Sequence, residues 1–178
     1  MILPPADPVV AARTFRSHLD TYWLNSGRDS KGWTCTQIDE LHTVVTIPAR
    51  HADDGVDPYY VRLGAEYYDA YPPTVLIVAP EEGWPRARAG TPWWPIVTSL
   101  NWCALHDTYS YCDPQGQPLF EGQLVCFSMT AEYYMSNHGP TEEQRWTPGR
   151  HTVAATLSRL GEILSPPHYG GPSAARPV

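Results

Sequence analysis

The chain contains very little lysine. Of its twelve basic residues only Lys31 is a lysine, and the others are arginines. Nineteen acidic residues leave a formal net charge of −7. No stretch concentrates Lys or Arg, so the basic footprint with which proteins bind the phosphate backbone is missing. We therefore expect no nucleic-acid partner.

Long apolar runs are also absent. The longest extends only from Val75 to Ala79, whereas a membrane-crossing helix needs about 20 apolar residues. The first residues, Met1 to Pro5, lack the basic and apolar regions of a secretory signal. These absences predict a cytoplasmic protein without a membrane partner. In that compartment we expect all four cysteines to be thiols: Cys35, Cys103, Cys112 and Cys126.

The 178 residues are enough for one folded domain, and 42% of them are hydrophobic. A chain of this length can bury a substantial core. We expect a proline-rich lead-in over residues 1–8 and a single domain over residues 9–165. Residues 166–178, which begin with the prolines that end the last helix, are predicted to form a disordered tail.

The first half predicts one helix followed by strands. An amphipathic helix is expected from Pro8 to about Asn25, with one apolar face. That face consists of Phe15, Leu19, Tyr22 and Trp23. Four apolar, β-branched runs then predict an antiparallel meander with short turns. They are residues 33–38, 41–47, 59–68 and 74–79. A helix followed by a meander indicates an α+β fold.

The second half predicts a hairpin, a polar loop and a helix. Asp113 to Gln117 is a good turn sequence between two strands, the second of which ends near Cys126. A polar loop is expected over residues 130–145. Thr147 is then predicted as the N-cap of a helix with Pro148 in its first turn. The apolar stripe of that helix is Val153, Leu157, Leu160 and Leu164.

Cys126 is the candidate nucleophile. A cysteine at the end of a strand beside a polar loop can attack a carbonyl once it is a thiolate, although such a cysteine can also be a small core residue. Asn137 is the nearest amide in the following loop for an oxyanion, and His138 is a candidate base. The same segment also reads as an ordinary turn. Cys112 is the alternative nucleophile.

Two other features leave alternatives open. Cys103 and His106 have the Cys-x-x-His spacing of half a zinc site, but no second pair completes it, so we expect no metal and no cofactor. The loop over residues 81–95 contains three tryptophans, Trp84, Trp93 and Trp94. They either pack over an edge of the core or form a contact surface for a partner. Packing is favoured because large aromatic side chains are mostly buried.

Several segments, in this order, resemble one known family. Tyr71 to Val75 is similar to a Tyr-Pro…Pro-Pro segment before a fourth strand, and Gly122 to Phe127 is similar to a Gly-x-Ile-Cys-Leu run around a nucleophile. Trp146 to Pro148, with the leucines that follow, looks like a Trp-Ser-Pro helix start. The chain thus resembles the ubiquitin-conjugating (E2, UBC-fold) family, in particular its divergent bacterial members. The His-Pro-Asn tripeptide that precedes the cysteine in that family is absent.

The resemblance implies a UBC-like fold and an E2-type acyltransferase. Cys126 would accept the C-terminus of a ubiquitin-like protein as a thioester from an E1-like activating enzyme and pass it to an amine. Bacterial relatives commonly belong to conjugation operons, several of them antiviral, so the same is implied here. In the family the first helix contacts the E1, which would assign Arg13 and Arg16 to that interface.

Two alternatives compete with the carrier. The first is an inactive UBC-fold module that binds a ubiquitin-like protein or E1 partner, with the tryptophan-rich loop as its contact surface. The missing tripeptide favours this module, whereas the run from Gly122 to Cys126 opposes it. The second alternative is a Cys/His hydrolase that uses Cys126 and His138, for which no local signature is present.

Overall fold

We describe a computed structural model of the chain over residues 2–26, 32–52, 55–98, 100–136 and 139–175. Its helices are α1 (Pro8–Ser26), α2 (Ala131–Met135) and α3 (Val153–Ile163). Its strands are β1 (Thr34–Gln37), β2 (His42–Arg50), β3 (Val56–Gly64), β4 (Thr74–Val78), β5 (Pro95–Val97), β6 (Ala104–Cys112), β7 (Pro118–Cys126) and β8 (Tyr169–Pro172). The order confirms the predicted α+β class, with an N-terminal helix, a four-stranded antiparallel sheet and a C-terminal helix.

Helix α1 begins where the sequence predicts it. The Asp7 carboxylate accepts hydrogen bonds from the backbone N–H groups of Val9 and Val10, each at 3.0 Å. Pro8 occupies the first turn, where its missing N–H costs nothing. The predicted apolar face is buried at Phe15, Leu19 and Tyr22.

The main sheet has the strand order β1-β2-β3-β4, and each neighbouring pair is antiparallel. Alternate residues of β2 point into the core, where Val45, Ile47 and Ala49 are buried. Such alternation is the pattern of a sheet with one face packed on other elements. Helices α1 and α3 contact each other, and their buried residues belong to the same apolar cluster as this face.

The hairpin of β6 and β7 is a separate two-stranded sheet that one glutamine fastens to the main sheet. Gln123 on β7 is 2% exposed. Its side-chain oxygen accepts from the N–H of Ile77 at 2.6 Å. Its amide nitrogen donates to the carbonyl oxygens of Ile77 at 3.0 Å and Ala87 at 3.1 Å. The side chain therefore occupies the edge of β4 much as a neighbouring strand would.

Tyr68 joins three parts of the fold. Its buried hydroxyl lies 2.7 Å from Nδ1 of His18 on α1 and accepts from the N–H of Val153, at the start of α3, at 3.0 Å. Next to it, the carbonyl oxygen of Asp69 accepts from the indole N–H of Trp146 at 2.8 Å. The two segments that carry the family resemblance, around Tyr71 and around Trp146, are thus connected in the structure.

The prediction of a disordered tail is wrong for residues 166–175. Strand β8 pairs with β5, and Tyr169 is buried. The Tyr169 hydroxyl donates to the Asp57 carboxylate at 2.5 Å and lies 2.9 Å from the hydroxyl of Tyr59. These partners precede Tyr169 by more than a hundred residues, so a local pattern of prolines and glycines does not reveal them.

Helix α3 begins five residues later than predicted. Thr152 is its N-cap, and the Thr152 hydroxyl accepts from the N–H of Ala154. The segment from Thr147 forms a turn in which Gly149 adopts a φ of 78°, a left-handed conformation that a continuing helix does not allow. The predicted polar loop over residues 130–145 also contains α2, whose Ala131 and Met135 are buried one turn apart.

We expect His42→Gln to destabilise the protein more at about pH 6 than at about pH 9, by about 0.5–1 kcal/mol. Partial burial of His42 disfavours the charged imidazolium and so lowers its pKa. Hydrogen bonds to the carboxylates of Asp39 and Glu66 have the larger effect and raise the pKa of His42 above 6.5. This stabilisation is complete below the pKa of the unfolded state and is lost as pH rises through the raised pKa of the folded state.

Urea unfolding of wild type and variant at both pH values measures the difference. His106→Gln is the matched control, since the exposed ring of His106 lies beside Tyr109. An equal loss of stability at both pH values in His42→Gln would mean that the ion pairs contribute nothing.

Candidate active site

Cys126 ends the long hairpin, as predicted. Ala104 pairs with Cys126 at one end of the β6–β7 register, and Cys112 pairs with Pro118 at the other. The alternative nucleophile, Cys112, is therefore at the turn end of the hairpin, and Cys126 is at the end next to the body of the protein. The last four residues of β7 are buried, and Cys126 is 5% exposed.

The short helix α2 packs directly against this strand end. The Thr130 hydroxyl, just before α2, lies 2.8 Å from the carbonyl oxygen of Val125 and 2.9 Å from that of Phe127. The N–H of Ala131 donates to the carbonyl oxygen of Pro73 at 3.1 Å. These bonds fix α2 between β7 and the start of β4, so that its buried face meets Cys126.

The environment of the Cys126 thiol favours the protonated form. Burial raises the pKa of Cys126, and the nearby Glu132 carboxylate raises it further, while a hydrogen bond with the Ser136 hydroxyl lowers it. The net effect is a rise above the ordinary thiol value. Because the thiolate is the nucleophile, reaction at neutral pH requires a group that removes the proton.

An open pocket of about 270 Å³ adjoins Cys126. Asn101, Cys103, Gln144 and Arg159 are among the residues that line it. The hairpin register explains why Asn101 lines this pocket. Ala104 pairs with Cys126, so the residues just before β6 lie beside the end of β7. The pocket thus combines two thiols, those of Cys126 and Cys103, with two amides and a guanidinium. Amide and guanidinium N–H groups can bind a polarised carbonyl.

Sequence reasoning missed Asn101 at this site. Asn101 lies too far upstream of Cys126 for the spacing of the family's His-Pro-Asn tripeptide, so the comparison of motifs gave it no role. Strand β6 begins at Ala104. Because β6 and β7 both have nine residues, the end of β7 at Cys126 lies beside the start of β6. The hairpin prediction itself contained the signal, because residues that flank a hairpin meet at its open end.

The two loop residues proposed to assist Cys126, Asn137 and His138, lie outside the described residues. Their roles remain predictions. Ser136, which precedes them, is buried and ends α2.

The predicted partner-binding residues differ in exposure. Arg13 and Arg16 are exposed on α1, and Arg16 donates to the side-chain oxygen of Gln37 at 2.5 Å. Trp94 is buried in the core, which agrees with packing and not with a contact surface. Trp84 and Trp93 are half-buried, and both rings lie beside the ring of Tyr60.

All four cysteines are thiols. Burial, with a smaller contribution from the nearby Cys126, raises the pKa of Cys103 to about 12. Within the described ranges, no three His, Cys, Asp or Glu side chains come close enough together to hold a metal ion. Cys103 and His106 therefore find no further ligand there.

Similarity to known proteins assigns no family. No protein-family model matches the chain, and no curated protein or solved structure matches it either. Among the described residues, no helix combines the length and apolar character that crossing a membrane requires. The resemblance to ubiquitin-conjugating enzymes therefore rests on the motifs and their order alone.

Proposed function

We propose that this chain is an E2-like carrier with a UBC-like fold. Cys126 accepts the C-terminus of a ubiquitin-like protein from an E1-like enzyme as a thioester and passes it to an amine, in a bacterial conjugation pathway. The observation that carries the proposal is that Cys126 and Asn101 line one open pocket. A thiol next to an amide donor is the pairing that acyl transfer needs.

Each half of the reaction exchanges one bond at the same carbonyl carbon. The Cys126 thiol loses its proton, its sulfur bonds to the carbonyl carbon of the incoming thioester, and the thiolate of the E1-like enzyme leaves. The acceptor amine then attacks that carbon and loses a proton, and the Cys126 thiolate leaves and is reprotonated. Asn101 supplies the amide N–H for the oxyanion that forms in both steps.

The carrier proposal is tested by trapping the thioester. We expect the protein, its activating enzyme, the ubiquitin-like protein and ATP to form an adduct that a thiol reductant removes. Cys126→Ala abolishes the adduct, because the acyl acceptor is gone. Cys112→Ala retains it, because Cys112 lies at the far end of the hairpin. Non-reducing electrophoresis and intact mass measurement detect the adduct.

Two controls make the outcome specific. Cys103→Ala removes the second thiol of the same pocket and is expected to leave the adduct intact. Absence of any adduct with a cognate activating enzyme contradicts the carrier function. An adduct that persists in Cys126→Ala and disappears in Cys103→Ala or Cys112→Ala moves the nucleophile to that cysteine.

A second candidate function is a UBC-fold binding module without catalysis. The observation that favours it is the burial of Cys126, which is 5% exposed and whose pKa burial raises above the ordinary thiol value. Such a module binds its ubiquitin-like or E1 partner equally well as wild type and as Cys126→Ala, and no adduct forms. Calorimetric titration of both proteins, beside the trapping experiment, separates the two functions.

A further inference from the structure

Glu132 is a buried carboxyl group that the chemistry described so far does not use. It lies on α2 and is 4% exposed. One oxygen, Oε1, accepts from the backbone N–H of Val75 at 2.9 Å. The other, Oε2, has no hydrogen-bond partner among the residues that the structure describes. A buried polar atom without a partner is costly, so its retention calls for a role.

The geometry of α2 turns Glu132 towards the candidate nucleophile. The N–H of Ser136 donates to the carbonyl oxygen of Glu132 at 2.9 Å, so the two residues are one helical turn apart. Residues four apart in a helix share a face. The Ser136 hydroxyl is hydrogen-bonded to the Cys126 thiol, and this face of α2 is therefore the one that meets Cys126.

The apolar packing supports the same arrangement. Cys126 belongs to a small cluster of buried residues that also contains Ala131 and Met135 of α2. These two residues immediately precede Glu132 and Ser136, respectively. The first and the last residue of the short helix are thus packed in the same buried cluster as the thiol.

The surroundings of Glu132 bring the pKa of its carboxyl group close to neutral pH. Burial raises the pKa of Glu132 to about 8, while the hydrogen bond from Val75 lowers it. Five other ionisable groups interact electrostatically with Glu132: Arg62, Glu66, Tyr67, Tyr111 and Cys126. A base is most effective when its pKa lies near the working pH, and Glu132 meets that condition.

We propose that Glu132 is the proton acceptor for the Cys126 thiol. As the sulfur bonds to an electrophilic carbon, the thiol proton moves to Oε2 of Glu132 and the leaving group departs with its electron pair. The Glu132 carboxyl then returns the proton to solvent. With the proposed thioester as electrophile, this step deepens the carrier function, but the same proton transfer accompanies any attack by Cys126.

The test uses a small electrophile and needs no partner protein. Iodoacetamide alkylation of Cys126 is followed against pH by peptide mass mapping, in wild type and in Glu132→Gln. Glutamine keeps the oxygen that accepts from Val75 and nearly the same volume, but it cannot take a proton. We expect an inflection near the pKa of Glu132 in wild type, and its loss in the variant together with a rate lower by about tenfold or more.

The opposite result is equally clear. If Glu132 only repels the thiolate, its neutralisation lowers the pKa of Cys126, and Glu132→Gln reacts as fast as wild type or faster at every pH. That outcome overturns the proposal. Glu143→Gln is the matched control, because Glu143 is exposed in the segment after α2, and it is expected to keep the wild-type profile.

A measurement on wild type alone covers the case in which Glu132→Gln does not fold. Infrared titration follows the carbonyl band of a protonated carboxyl group as it disappears with rising pH. We expect its midpoint to coincide with the inflection in the alkylation rate. A rate profile that depends on the thiol alone, with no such inflection, overturns the proposal. Because no activating enzyme is involved, failure here leaves the trapping experiment unaffected, and the reverse also holds.

Discussion

Replacing Gln123 by leucine is expected to lower the free energy of unfolding by about 3–5 kcal/mol. The glutamine side chain makes three hydrogen bonds with the backbone of Ile77 and Ala87, both of which are buried. Leucine has a similar volume but no polar atom. Two buried backbone groups, the N–H of Ile77 and the carbonyl oxygen of Ala87, would lose this partner, and each such group costs about 1–3 kcal/mol. The carbonyl oxygen of Ile77 would keep the N–H of Ala87 at 2.9 Å. Guanidinium or urea unfolding measures the change.

The hairpin contains its own control for this prediction. Gln117 precedes β7 and is exposed, so Gln117→Leu should change stability by less than about 0.5 kcal/mol. Because Gln123 holds the β6–β7 hairpin against β4, its loss should also expose Cys126, and iodoacetamide should then react with that thiol faster. A loss in Gln123→Leu no larger than in Gln117→Leu would mean that the hairpin is attached by other contacts.

Local patterns were sufficient for the regular parts of this fold. The apolar spacing after Pro8 predicted helix α1 and which of its sides is buried. The turn sequence from Asp113 to Gln117 predicted the hairpin, where the N–H groups of Gln115 and Gln117 donate to the Asp113 carboxylate. Each of these signals depends on residues that are near one another in the chain.

Local patterns failed where distant residues decide the structure. Strand β8 forms because Tyr169 reaches Tyr59 and Asp57, far upstream. Helix α3 starts at Val153, whose N–H donates to the hydroxyl of the distant Tyr68. Neither contact leaves a mark in the sequence around the element that it shapes.

The same distinction applies to the site. Cys126 could be placed at a strand end because the apolar run and the turn before it are local. Asn101 and Glu132 were missed. Asn101 lines the same pocket as Cys126 only because the hairpin brings its two ends together, and Glu132 lies in a helix too short to have a recognisable period. A five-residue helix such as α2 has little more than one turn. The side chain of Thr130, at its N-cap position, accepts no hydrogen bond from the first N–H groups of the helix.

The second large effect is expected at Asn101. Under the carrier function, Asn101→Ala should slow the transfer of the thioester from Cys126 to free lysine by about 10²–10³-fold. The amide of Asn101 is the donor for the oxyanion, and removal of one such donor costs about 3–4 kcal/mol of transition-state stabilisation. Single-turnover discharge of the preformed adduct measures this rate without the activating enzyme.

Two matched variants separate this role from the other amides near Cys126. Gln144 lines the same pocket, and Gln144→Ala should slow discharge far less if Asn101 is the donor. Asn137→Ala tests the amide predicted from the loop after α2. Fast discharge in Asn101→Ala with slow discharge in Asn137→Ala would transfer the role to Asn137. Slow discharge in both would indicate two donors, since an oxyanion can accept more than one hydrogen bond at the same time.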